Sequence, residues 1–344
     1  MNGIGYRLLV ALSGVCGLAL VIAGQGCAEK DPPPQSSSGG TDALNGVEFV
    51  ESYSFQGAVL EDKDLSGIAC ISPTRCLIGA DESAAVQVVE LSREGRTLNV
   101  LGSISLLPSG EEIDIEGIAA EGDCYYIVGS HGVAKKSGQR QAKRYTICRL
   151  KVDPTSGMPL GNAVTLASLT PILETDPILR PYFAKPLQQK GVNIEGLAIR
   201  QGHLFVGLRN PNLDGNAFVL EVEAGAVFSG VSRPAYTLHK LSLGRGLGVR
   251  EIVAAREGFL IIAGNAGSEP SDVYLQAEDY EERRGYDLFR WDGRGSAVRK
   301  IGSIPNPPGK AEAMAILEDG PEYTEVLILF DGAKRGAPSV YRFR

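Results

Sequence analysis

Two near copies of one phrase, Asp114-Ile-Glu-Gly-Ile-Ala119 and Asn193-Ile-Glu-Gly-Leu-Ala198, set a carboxylate inside an apolar run. Burying a charge is costly unless it is paired or bound to a metal, so an acid kept in such a run needs a partner. Three looser versions complete a set of five: Leu65-Ser-Gly-Ile-Ala69, Val249-Arg-Glu-Ile-Val253 and Ala311-Glu-Ala-Met-Ala315. Asp114, Glu116, Asn193, Glu195 and Glu312 offer only hard oxygen donors, which Ca²⁺ takes in sets of about 6–8. Calcium is the cofactor that these residue types suggest. Arg209, Arg250 and Lys310 are the alternative, a salt-bridge network that neutralises the same acids without metal. Arg209 and Arg250 would equally hold an anion, with Asn210, Glu251, Asn265 and Asp331 as the other ligand-binding candidates. His131 is a candidate general base, because imidazole titrates nearest neutrality; its alternative role is a structural hydrogen bond.

These residues converge only if the chain repeats in space. The central residues of the five phrases, 67, 117, 196, 251 and 313, lie 50, 79, 55 and 62 residues apart, as in a repeat array. After a short turn each phrase leads to a second apolar run, such as Tyr126-Ile-Val-Gly129, and then to an alternating third, such as Val86-Gln-Val-Val-Glu-Leu91. The runs are short, rich in β-branched and aromatic residues and bounded by Gly or Pro, which predicts strands. Four units carry a fourth candidate strand, near 98–107, 163–167, 236–243 and 298–304; the last unit has none, and segment 47–55 can supply it.

Four-stranded sheets arranged around an axis are propeller blades, and a borrowed N-terminal strand closes the ring. The expected fold is therefore all-β, a single β-propeller over 46–344 with five four-stranded blades. Six blades are the alternative, because the 79-residue interval is long. Its surplus, about 170–191, is interrupted by prolines and alternates little, which predicts an insertion of short helix or lid. In such a ring the start of each first strand and the end of each second strand share one face. That logic gathers Asp64, Asp114, Glu116, Asn193, Glu195, Arg250, Glu251 and Glu312 with Asp81, Glu82, Ser130, His131, Arg209, Asn210, Asn265 and Asp331 at one mouth of the channel.

Acidic residues number 41 against 34 basic, a net charge of -7 that repels phosphate backbones and argues against a nucleic-acid partner. Residues 1–27 read as an export signal: Arg7, an apolar run from Leu8 to Ala23, then Gly24-Gln25-Gly26-Cys27. The run is short of the ~20 residues that a spanning helix needs. Cys27 follows a small residue, as at a bacterial lipoprotein site, so lipidation there is expected, with plain secretion as the alternative. Residues 28–45, rich in Pro, Ser and Gly, predict a flexible tether. The expected location is the cell envelope, facing the periplasm or exterior, with the lipid as the sole membrane contact. Cys70, Cys76, Cys124 and Cys148 remain in the folded part. An even count in an exported chain predicts two disulfides, with Cys70 and Cys76 pinning a hairpin; buried thiols are the alternative.

The chain has no G-x-S-x-G elbow, no H-E-x-x-H helix and no phosphate-binding glycine loop. Six motifs in order, Asp64-Leu-Ser-Gly-Ile-Ala69, Asp114-Ile-Glu-Gly-Ile-Ala119, Val128-Gly-Ser-His131, Asn193-Ile-Glu-Gly-Leu-Ala198, Gly207-Leu-Arg-Asn-Pro211 and Gly246-Leu-Gly-Val-Arg-Glu251, resemble the bacterial domain of unknown function 3616 family. Asn210 stands where that family usually has Gly, and Gly132 where a polar residue is common. The Glu-Gly-Leu-Ala phrase is also similar to phytase-like and esterase-like propellers, some of which are metal-dependent hydrolases. Two readings follow: an exported module that binds a cation, a small anionic ligand or a cell-surface protein, or a metal-dependent hydrolase of phosphate or carboxylate esters.

Overall fold

In the computed structural model, residues 46–107, 112–135, 137–275, 277–282 and 284–344 are described. The expected signal, Cys27 and the tether lie outside the described residues. The strands in order are β1 (Glu48–Ser52), β2 (Ser54–Gln56), β3 (Leu65–Cys70), β4 (Arg75–Ala80), β5 (Ala85–Ser92) and β6 (Thr97–Ser105). There follow β7 (Ile115–Glu121), β8 (Cys124–Gly129), β9 (Ile147–Val152) and β10 (Pro159–Ala167), then β11 (Asn193–Arg200), β12 (His203–Leu213), β13 (Asn216–Glu223) and β14 (Tyr236–Leu241). The last are β15 (Leu247–Ala254), β16 (Phe259–Asn265), β17 (Asp287–Trp291), β18 (Val298–Ser303), β19 (Lys310–Asp319), β20 (Thr324–Asp331) and β21 (Ser339–Phe343). They form five antiparallel meanders, the blades of a five-bladed propeller.

Apolar side chains on both faces of each sheet explain the ring. Five hydrophobic clusters fill the five seams between neighbouring blades, for example Leu77 against Ile115 in one and Ile262 against Met314 in another. Each sheet therefore buries both faces, as closed packing requires. The N-terminal segment closes the ring as predicted, and it does more than predicted. β1 pairs with β21 in the last blade, whereas β2 turns away to run parallel to β6 in the first. Tyr53 and Phe55 are buried in the seam between those two blades, so one short segment staples both.

The first strands β3, β7, β11, β15 and β19 stand side by side around the channel. The 170–191 insertion holds α1 (Thr170–Leu173) and two single-turn 3-10 helices, Arg180–Tyr182 and Leu187–Gln189. Leu169, just before it, and its Ile172, Leu173 and Leu179 pack into the seam between the second and third blades.

The disulfide expectation divides. Cys70 and Cys76 are bonded across the β3–β4 hairpin, while Cys124 and Cys148 are free thiols. In register, Cys124 pairs with Lys151 and Cys148 with Ile127, an offset of three residues. An odd offset puts the two side chains on opposite faces of the sheet, and they pack in different seams.

Candidate metal centre at the channel mouth

Every first strand slips register against its second strand at the same place: between Leu65 and Gly67, Ile115 and Gly117, Ile194 and Gly196, Val249 and Glu251, and Ala311 and Ala313. The skipped residues are Ser66, Glu116, Glu195, Arg250 and Glu312. A β-bulge leaves its extra residue unpaired and re-aims the side chain. Repeated around a ring, it brings oxygens of Glu116, Glu195 and Glu312 within 4.8 Å of one another, from three different blades. Ser66 instead donates to the carbonyl of Ile115 in the next blade.

The glycine after the bulge is needed for this closeness. A Cβ on Gly196 would meet the Ile252 nitrogen at 2.8 Å, and one on Gly117 the Leu197 nitrogen at 2.9 Å. The Ile, Leu and Met two residues beyond the acid then fill the seams. In β15 the glycine position holds Glu251, whose side chain is fully buried and accepts from the backbone N–H of Ile252 at 2.8 Å and of Leu197 at 3.4 Å.

Charge in the mouth is partly compensated. Arg209 Nη1 donates to Glu195 Oε1 at 2.6 Å, and Arg250 Nη2 lies 2.9 Å from Glu195 Oε2 and against Glu312 Oε1. The Arg250 contact to Glu195 is close but poorly aligned, so Glu195 Oε2 has no hydrogen-bond partner; neither do Asn193 Oδ1 and Glu251 Oε2. Burial pushes the Glu195 carboxyl up, but Arg209 and Arg250 outweigh it and hold the group below its ordinary value. Glu116 has no ion-pair partner among the described residues. It is densely surrounded yet keeps some solvent-exposed surface, and burial, then Glu195, Asp114 and Asp81, lift it well above the usual carboxylate range. Burial does the same to Glu251.

Asp114, on the approach to β7, pairs with Arg144 at 3.0 Å and is raised by burial to about 6. Asp81 is raised to about 7, by burial first and then by Asp331, Asp114 and Asp64. Asp331 pairs with Lys310 on the rim. There a second trio, Glu61, Asp64 and Glu82, also has oxygens within 4.8 Å of one another, but it is largely solvent-exposed.

Several predicted site residues hold the structure instead. His131 is fully buried with both ring nitrogens engaged: Nδ1 donates to the Gly129 carbonyl at 2.9 Å and Nε2 accepts from the Leu169 N–H at 3.2 Å. Burial lowers it to about 4, so it is a neutral clamp on the insertion rather than a general base. Asn210 donates to the Leu187 carbonyl at 3.1 Å, and Asn265 makes two bonds to the Glu281 backbone, at 2.8 and 3.1 Å. Both tie down loops above the mouth. Arg144 and Lys135 escaped the sequence reading. Lys135, exposed on the loop after β8, lends positive charge to Asp114, Glu116 and Glu195. No periodic pattern marks such loop residues.

Four four-stranded sheets and one five-stranded sheet, set around a channel whose mouth carries polar and charged bulge residues, define a five-bladed β-propeller with a polar mouth. The chain belongs to the family described as protein of unknown function (DUF3616), whose model matches residues 64–157 and 154–338. No curated protein sequence matches it. Among solved structures it is similar to the PQQ-bound aldose sugar dehydrogenase of Streptomyces coelicolor, at 13% identity over 87% of this chain and 98% of that one, with a TM-score of 0.41. A protein of unknown function from Bacteroides thetaiotaomicron is 12% identical over 88% of this chain and 72% of that one, with a TM-score of 0.40. Streptogramin B lyase is 9% identical over 88% and 99%, with a TM-score of 0.38. Likeness this weak transfers neither chemistry nor ligand.

Proposed function

We propose that the protein is an exported binding propeller, tethered to a membrane through lipid on Cys27, that holds a divalent cation, calcium by its donor type, at the acidic mouth. The observation that carries this is the convergence of oxygens of Glu116, Glu195 and Glu312 within 4.8 Å, where Glu195 Oε2 is buried and accepts no well-aligned hydrogen bond. Polar atoms buried at this depth normally have partners. All the donors are hard oxygens, which suits Ca²⁺. A small anionic ligand or a protein at the cell surface would then dock on the loaded mouth.

The topology suits a tether. β1 runs antiparallel to β21, with Glu48 opposite Arg342 and Ser52 opposite Ser339, so the chain enters the propeller from the face opposite the mouth. The reading as a metal-dependent ester hydrolase loses its proposed base with His131, and no other observation favours it.

Thermal unfolding of the full-length protein in detergent tests the cation. A ligand at about 100 times its Kd adds ~2.7 kcal/mol of stability, so millimolar calcium should raise the midpoint by several degrees and chelation should reverse it. Glu116→Gln, which breaks no ion pair among the described residues, should abolish the rise. A wild-type midpoint indifferent to calcium would sink the proposal.

A further inference from the structure

Arg209 and Arg250 both reach Glu195, but they are held differently. Arg209 is anchored: its Nε donates to the carbonyls of Asn265 and Ala266 at 3.2 Å, and its Nη2 to the Gly267 carbonyl at 2.8 Å. Arg250 is only 2% exposed, yet its Nε has no partner and its Nη1 makes a single long bond to the Asn265 carbonyl at 3.4 Å. A buried guanidinium normally uses its five donors. Arg250 is thus fixed mainly by charge, with Nη2 lodged between Glu195 and Glu312 where a bridging cation would sit.

The charge count gives the consequence. Glu116, Glu195 and Glu312, when ionised, carry three negative charges against the two positive charges of Arg209 and Arg250. A divalent cation turns this small deficit into an excess and takes the acids away from Arg250. An oxyanion entering with the cation offsets both effects, because a guanidinium matches carboxylate or phosphate geometry.

We propose that Arg250 is a tethered counter-cation: it yields its place between Glu195 and Glu312 to a divalent cation and then binds the oxyanion group of the ligand that the cation recruits. This rests on the cation reading above and names its ligand class. Arg250 would therefore weaken cation binding when no anion is present, and cation and anion would each raise the affinity for the other, as linkage requires.

Titration calorimetry on the full-length protein in detergent tests this, with calcium, methyl phosphate and acetate as probes. Wild-type protein should bind methyl phosphate or acetate only with calcium present, and which of the two binds tells phosphate from carboxylate. Arg250→Met should bind calcium about tenfold tighter, a gain of ~1.4 kcal/mol, and should lose the anion. Arg250→Gln, which removes the charge and keeps polar donors, carries the same test if the Met variant fails to fold. Calcium affinity unchanged or weakened in a folded charge-removing variant overturns the proposal, as does anion binding that ignores calcium. Absence of calcium binding in the wild type and in both variants would instead overturn the cation reading itself.

Discussion

The same five strands line both ends of the channel, and the two ends are chemically opposite. At the mouth, each strand slips register by one residue and presents Ser66, Glu116, Glu195, Arg250 or Glu312. A few residues further on, four of the five ladders run regularly, β19 slips once more after Ile316, and Ile68, Ile118, Leu197, Met314 and Ile316 help to line a cavity of about 150 Å³. The strands and their neighbours are common to both ends; the bulge shared by all five strands is found only at the mouth. Charge gathers where the bulge frees a side chain from the alternation that packs the seams, and in β3, β7 and β11 the glycine that follows lets the backbones close behind it. The bulge is thus the device that makes a site out of a packing element.

The sharpest way to break this comparison is to fill the space behind the bulge. Gly196→Val would drive a side chain into the backbone of Glu251 and Ile252, whose atoms would lie only 2.8 to 3.0 Å from the new Cβ. It should lose at least about 3 kcal/mol in urea unfolding. A loss under ~1 kcal/mol would show that the close approach is not needed. At the other end, Met314→Ala removes a fully buried side chain and should cost about 2–4 kcal/mol while leaving the calcium-induced rise in midpoint intact. A changed calcium response would show that the two ends act as one unit.

In the wild type the pH effects oppose one another. Burial lifts Asp81 to about 7 and Asp114 to about 6, above an unfolded value of 3.8. Both are easier to protonate folded than unfolded, so without a cation their contribution to stability falls as pH rises from about 4 to about 7. His131 works in the opposite sense. Burial holds it at about 4 against 6.5 unfolded, so the stability it contributes is present above 6.5 and is lost as pH falls towards 4. In His131→Asn the acid-side loss should vanish, and chelated protein should gain stability steadily as pH drops from about 7 to about 5. Chemical denaturation at stepped pH reads this directly, and a variant that still weakens over that range would show that the mouth acids do not carry the trend.

The strand pattern was legible from residue types because each blade packs both faces through a period of two. The shared face followed from chain direction alone, and the register pairs Asn193 with Asn210 and Lys310 with Asp331 as that logic required. Side-chain direction at strand ends was not legible. His131 has a left-handed backbone, with φ of +50°, and turns under the insertion instead of into the mouth. Asn210 and Asn265 likewise face loops that no periodicity marks. Cys124 and Cys148 lie on adjacent strands, but an odd register offset separates them.

Residue order pointed to a β-propeller of five units, with six as the alternative, to the strap that closes it and to the rim on which polar residues collect, because local apolar periodicity and chain direction suffice for those. Which acids meet, and which cations stand beside them, was decided in three dimensions. Glu116, Glu195 and Glu312 come from segments far apart in the chain, and their interaction depends on a few ångströms that only the closed ring and its bulges set.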